Sequence, residues 1–142
     1  MREGLIKIRP DKYRAKSVLK MSETTLEMIR NIDSNKFPSI IIKEYYEVIR
    51  SLITAILIAD GFKTEGEGAH KKLIEYLNSN YKEFSQYEIS TIDSLRIMRN
   101  KIAYEGFFVN ESYLKRKKGI IGTITEKLKK ILKEKFIICP KP

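Results

Sequence analysis

The sequence predicts an all-α protein of four to five helices. Apolar residues recur at three- and four-residue spacing through most of the 142 residues, which is the period of a helix face. Proline and glycine fall between these runs, at Pro10, Pro38, Gly61 and Gly106, where helices start or stop. No internal repeat or low-complexity stretch divides the chain. One domain is therefore expected over residues 1–142, with core helices over about 11–106 and a basic C-terminal helix over about 111–135.

Taken in order, Gly4 to Pro10 is a short extended lead stopped by proline. A first helix over about 11–32 carries Ala15, Val18, Ser22, Thr25, Leu26, Ile29 and Ile32 on one face. Asp33 to Lys36 is a turn cluster, and Phe37-Pro38 sets up a second helix over about 39–60, ended by a C-cap glycine, Gly61. Apolar side chains cover more than half of this second helix, which makes it the central element. Its narrow polar stripe is Lys43, Glu47, Arg50 and Thr54, with Glu44 on the edge. A third helix over about 69–78 and a fourth from about 85–88 to Gly106 follow. Phe107-Phe108-Val109 then bridges to Asn110, the expected N-cap of helix five. Gly119 and Gly122 weaken that last helix by ~1 kcal/mol each relative to alanine, so whether it runs on, kinks or splits is open at that point.

Composition narrows the function classes. The formal net charge is +10, and it is polarised. Residues 1–20 carry seven Lys/Arg against two Asp/Glu, residues 21–95 eight against twelve, and residues 96–142 thirteen against four. Such a field favours a polyanionic partner, nucleic acid ahead of a membrane, because no helix joins a basic face to exposed aromatics. Plain solubility is the simpler explanation of the same charge. The longest apolar run, Leu52 to Ala59, is far short of the ~20 residues of a membrane span, and a single cysteine, Cys139, excludes a disulfide framework. A cytoplasmic protein without cofactor or metal is expected. The two glycines at Gly66 and Gly68 follow no strand and sit beside glutamates, so they do not form a phosphate loop, and no nucleophile or metal-ligand spacing occurs.

The chemistry concentrates in Leu95 to Gly106. On a helical projection Thr91, Ile92, Leu95, Met98, Ile102 and Ala103 share the apolar face, and Arg99 falls within it. A guanidinium there cannot shed its charge, so it needs a carboxylate, phosphate or carbonyl partner. Glu44 and Glu47 on helix two are the candidates for pairing with Arg99 or Arg96. Asp93, Ile97, Asn100 and Tyr104 share the opposite face, with Arg96 between the two, and an isoleucine and a tyrosine beside an amide suit contact with a second copy of the chain.

Arg99-Asn100-Lys101-Ile102-Ala103-Tyr104 resembles the Arg-Asn-x4 signature on the last core helix of HEPN-domain proteins, which reads arginine, four to six residues, then histidine. Tyr45-Tyr46 through Gly61-Phe62-Lys63 is similar to that family's aromatic-led second helix, and Gly68 through Leu77, with His70 leading, to its short third helix. The resemblance spans nearly half the chain. It implies an up-and-down bundle that dimerises around a cleft lined by the motif of both copies. It also implies metal-independent endoribonuclease activity in catalytic members, RNA or nucleotide binding in others, and pairing with a nucleotidyltransferase in toxin–antitoxin operons. Arg99, Asn100 and Tyr104 carry over as the catalytic positions. Arg96, Arg99 and Lys101, with Lys115, Arg116, Lys117 and Lys118 on the basic helix, are the candidate nucleic-acid contacts.

Tyr104 stands where catalytic members have histidine. A phenol, ordinarily ionising near ~10, is a poor base at neutral pH, and loss of a positioned base removes ~10²–10⁴ in rate. A hydrogen bond to phosphate or stacking on a base remains open to it. The only histidine, His70, opens a different helix. A capping or surface role is its simpler assignment, and reaching the Arg99 cleft as a substitute base is the alternative. Three functional readings follow: a dimeric RNA- or nucleotide-binding protein that is a weak or inactive ribonuclease, a protein–protein module paired with a nucleotidyltransferase, and a purely structural helical dimer in which Arg99 is paired within the bundle.

Overall fold

A computed structural model describes residues 4–137 of the chain. The architecture is all-helical, with α1 (Lys12–Arg30), α2 (Pro38–Asp60), α3 (Ala69–Asn80), α4 (Gln86–Glu105) and α5 (Glu111–Ile137). Two short strands, β1 (Leu5–Lys7) and β2 (Phe62–Thr64), pair antiparallel with Ile6 opposite Lys63. The extended lead is thus one half of a clasp, whose other half follows α2 directly.

α2 is the axis of the bundle and packs against all four other helices. Ile42, Ile49, Leu52, Ala55, Ile56 and Leu57 are fully buried along it. Pro38 occupies its first turn and Gly61 closes it at φ 95°. A side chain at Gly61 would carry a Cβ only 3.1 Å from the Ile8 carbonyl oxygen, so the glycine supplies both the left-handed turn and the room for the lead to cross. The Ile8 amide donates to the Gly61 carbonyl at 2.8 Å, which seats that crossing.

α1 begins at Asp11, whose carboxylate accepts from the Arg14 amide at 2.9 Å. α4 begins with a reciprocal capping box between Ser85 and Glu88, and ends at Gly106 with φ 65°. Asn110 caps α5 by accepting from the Tyr113 amide at 2.9 Å.

One open question is answered and two expectations are corrected. α5 runs unbroken through Gly119 and Gly122 over 27 residues, because Leu114, Ile121, Ile124, Leu128, Ile131 and Leu132 bury one continuous stripe that outweighs the local cost of two glycines. α3 extends to Asn80, two residues past the expected stop. Ala103 is exposed, and Met98 and Ile102 are half-buried against the edge of the core. Cys139 and Pro140 lie outside the described residues.

Most lysines of the C-terminal half of α5 are engaged. Lys127 bonds the buried Glu88 carboxylate at 2.8 and 2.9 Å, and holds that carboxyl below the usual range against the opposing effect of burial. Lys135 reaches Asp60 at 2.6 Å, an aspartate that also accepts from the hydroxyls of Tyr76 and Tyr81. Lys129 and Lys133 both face Glu23 on α1.

Candidate functional site

Arg99 meets α2. Its Nε donates to Glu47 Oε2 at 2.7 Å, while the other carboxylate oxygen accepts from Arg50 Nε at 2.9 Å. Spacing places Glu47 and Arg50 one turn apart on the polar stripe of α2, and the seam between α2 and α4 brings Arg99 to them. One carboxylate thereby holds two guanidiniums. Burial raises the Glu47 pKa, but the hydrogen bonds and charges of Arg50 and Arg99 outweigh it and hold the carboxyl below its ordinary value. Of the two carboxylates expected to pair, Glu47 takes the role. Glu44 makes no ion pair among the described residues and lines a small groove between α1 and α2.

The rest of the Arg99 fork faces outward. Its Nη1 donates to Asn100 Oδ1 and to the Tyr104 hydroxyl, each at 3.2 Å, and the guanidinium carbon sits 5.6 Å from the Tyr104 ring centroid. Tyr104 is 75% exposed. Burial works against the charge of Arg99, and the Tyr104 hydroxyl and Glu47 outweigh that too, so its pKa rises. The three motif residues are therefore one hydrogen-bonded group with an inner, paired end and an outer, open end.

Arg96 pairs one turn back with Asp93 at 2.8 Å, leaving its remaining donors to the same region. His70 joins the group from α3. Its ring lies 6.3 Å from that of the buried Tyr46, which is one turn from Arg50 on α2. Burial, then the charges of Arg50 and Arg99, lower its pKa. The imidazole is thus held neutral at physiological pH, with one nitrogen able to accept a proton. Burial raises the Tyr46 phenol to about 12 against the opposing charges of Arg50 and Arg96.

His70 was the residue least legible in sequence, because only the packing of α3 on α2 brings it to the arginines. Of the basic residues expected to act with Arg99, Lys101 is exposed beside it and rests over the Phe107 ring at 5.7 Å. Lys115 pairs with Glu111, and Arg116 and Lys117 flank Tyr113. No hydrogen bond, ion pair or ring contact among the described residues joins Lys115 to Lys118 with Arg99. They form a separate basic segment on α5.

The chain matches no family model, no curated protein and no solved structure. Its site must be read from its own geometry. No cluster of three or more His, Cys, Asp or Glu able to hold a metal ion occurs among the described residues, and no helix is long and apolar enough to cross a membrane. Three guanidiniums against two carboxylates leave the cluster with a net positive charge, which suits an anion.

Proposed function

We propose that the protein is a HEPN-like RNA-binding protein that acts as a dimer, with Arg50, Arg96 and Arg99 as its phosphate-binding group. One observation carries this reading. Among the described residues Arg50 and Arg99 share the Glu47 carboxylate and Arg96 pairs with Asp93, so three guanidiniums stand against two carboxylates, and their charges help lower the pKa of His70. The cluster keeps a positive surplus and unspent donors on its outer side, which is the arrangement that takes up a phosphate.

The same group has the parts of metal-independent cleavage. His70 takes the proton of the ribose 2′-hydroxyl as that oxygen bonds the adjacent phosphorus. The bond from phosphorus to the 5′-oxygen breaks, and the protonated imidazole returns its proton to the leaving 5′-oxygen, while Arg99 steadies charge on the phosphate. Tyr104 positions Arg99 and stands ready to hydrogen-bond a phosphate oxygen or to stack on a base. His70 thus fills a role that Tyr104 cannot.

The test is titration of single-stranded RNA at several salt concentrations, wild type beside Arg99→Ala, followed by incubation with total RNA without metal. Binding that weakens steeply with salt and is lost in Arg99→Ala supports the reading. RNA affinity that ignores salt, or none, overturns it. Cleavage by wild type that disappears in both Arg99→Ala and His70→Ala makes the protein a ribonuclease, and its absence makes it a binder.

A further inference from the structure

A groove of about 530 Å³ lies between the corner that starts α2 and the bridge that leaves α4, with Ile102 of α4 on its wall. Its volume falls in the ~300–1,000 Å³ range of small-molecule sites. Phe37, Ile40, Phe107 and Phe108 line it, and all four are exposed, Phe108 by 84%. Large rings left open to water cost hydration free energy unless something covers them.

Both walls are fixed. The Val109 amide donates to Ser39 Oγ at 2.8 Å, and the Ser39 hydroxyl donates back to the Val109 carbonyl at 3.4 Å. The Phe107 amide donates to the Lys101 carbonyl at 3.1 Å, closing the end of α4. The rings are therefore held on a built frame.

Cations alternate with these rings. Lys36 sits 5.5 Å from the Phe37 centroid and Lys101 5.7 Å from that of Phe107. The one carboxylate in the lining, Glu111, is engaged by Lys115 and, in the amide orientation that satisfies both groups, by Asn35. Ring beside ammonium, twice over, complements a chain in which flat bases alternate with phosphates. An apolar protein helix would leave both lysines facing its buried surface. Ile102, on the groove's wall, lies one turn beyond Arg99 on α4. The groove is thus joined to the Arg99 end of the cluster through α4.

We propose that this groove is a base-stacking subsite, in which Phe107, Phe108 and Phe37 take an unpaired nucleobase of a single strand whose phosphates lie on Lys101 and the Arg99 cluster. The inference rests on the RNA-binding reading and names the form of its ligand: an unpaired strand with its bases splayed, not a duplex.

The experiment compares a fluorescent twelve-nucleotide oligoadenylate with an abasic oligomer carrying the same number of phosphates, by anisotropy, for wild type, Phe108→Ala, Phe108→Leu and Arg99→Ala. Phe108 is so exposed that both substitutions should leave the helical circular dichroism unchanged. The expected result is that each Phe108 variant weakens oligoadenylate by about tenfold and leaves the abasic oligomer untouched, while Arg99→Ala weakens both. Equal oligoadenylate affinity in wild type and the Phe108 variants overturns the groove and leaves the phosphate site standing. Absence of binding by wild type to either oligomer overturns both. A dimer that dissociates in Phe108→Ala, seen by light scattering, assigns the groove to a second copy and overturns the inference.

Discussion

Arg99 on α4 and Glu47 on α2 are joined by a 2.7 Å hydrogen bond across 52 residues of chain, and Glu47 has Arg50 on its other oxygen. The pair both fixes the seam between two helices and aims the rest of the arginine fork at Asn100 and Tyr104. Glu47 is a positioning residue in this arrangement, since its own oxygens are spent on the arginines.

Glu47→Gln should therefore loosen the fold as well as the site. Two guanidiniums lose their shared counter-charge in a half-buried place, at a cost of about 1–3 kcal/mol once solvent screening is allowed for. In a chain of this size that lowers the melting temperature by several degrees. The Glu47 carboxyl titrates below its ordinary value in the native state. Its stabilisation is present above the unfolded pKa near 4.5 and is lost as pH falls through the folded one. Urea melts from pH 6 to pH 3 should show a shallower acid decline in Glu47→Gln than in wild type. Parallel curves would mean that the pair contributes nothing to the fold.

His70 titrates in the other accessible window. Its native pKa lies below the ordinary value of 6.5, so the unfolded chain binds the proton more readily. Stability is full above pH 6.5 and declines as pH falls toward the native pKa. His70→Gln should abolish that slope. Protonation also adds a cation to the arginine cluster, so RNA affinity should rise as pH falls through the native pKa in wild type and stay flat in His70→Gln. Any cleavage should fall over the same range, because the protonated imidazole is no longer a base. An NMR titration of the single histidine places the pKa directly, and a value above 6.5 would contradict the burial that the structure gives it.

Much of this was legible in the sequence. Apolar spacing, Pro38, Gly61 and Gly106 locate the helices, because local backbone preferences and long-range burial agree there. The Arg99 partner could be narrowed to Glu44 or Glu47 from helical geometry alone. Choosing between them required the rotation of α2 against α4, which no local signal encodes. The pairing of Leu5–Lys7 with Phe62–Thr64 was invisible for a similar reason. Three residues per strand leave no alternating pattern to read, and the contact exists because Gly61 turns the chain back beside the lead. His70 joined the site through the packing of α3, and the groove through the Ser39–Val109 clip, both products of tertiary structure. The division of α5 into engaged and open cations was not legible either, since a charge count cannot distinguish a free lysine from one already bound to Glu88, Asp60 or Glu23.

That division of α5 separates its lysines by function. Arg116, Lys117 and Lys118 pair with no carboxylate among the described residues, whereas Lys133 faces Glu23 at 3.7 Å and Lys135 bonds Asp60 at 2.6 Å. If the free segment guides RNA, replacing one of its cations that contacts phosphate should lower the slope of log affinity against log salt by ~0.7. Lys133→Ala should leave the slope unchanged. Lys135→Ala should leave it unchanged too, while reducing stability through the uncovered Asp60. Equal slopes for Lys118→Ala and Lys133→Ala would remove α5 from the binding surface.

The face of α4 opposite the core tests the dimer. Ile97 is 45% exposed there, one turn from Asn100 and two from Tyr104, and it is left open among the described residues. An isoleucine on a solvated surface contributes little to the monomer, so Ile97→Glu should change its stability by no more than ~0.5 kcal/mol. In a two-fold contact the same substitution places two like charges close together in a desolvated patch, which strongly disfavours association. Sedimentation should show wild type at twice the chain mass and Ile97→Glu at the chain mass, with the same helical content. RNA affinity should fall in the variant although no arginine has changed, because each copy would then offer only its own half of the phosphate site. A wild-type chain that sediments as a monomer at micromolar concentration would remove the dimer and confine the RNA site to the Arg50, Arg96 and Arg99 of one copy.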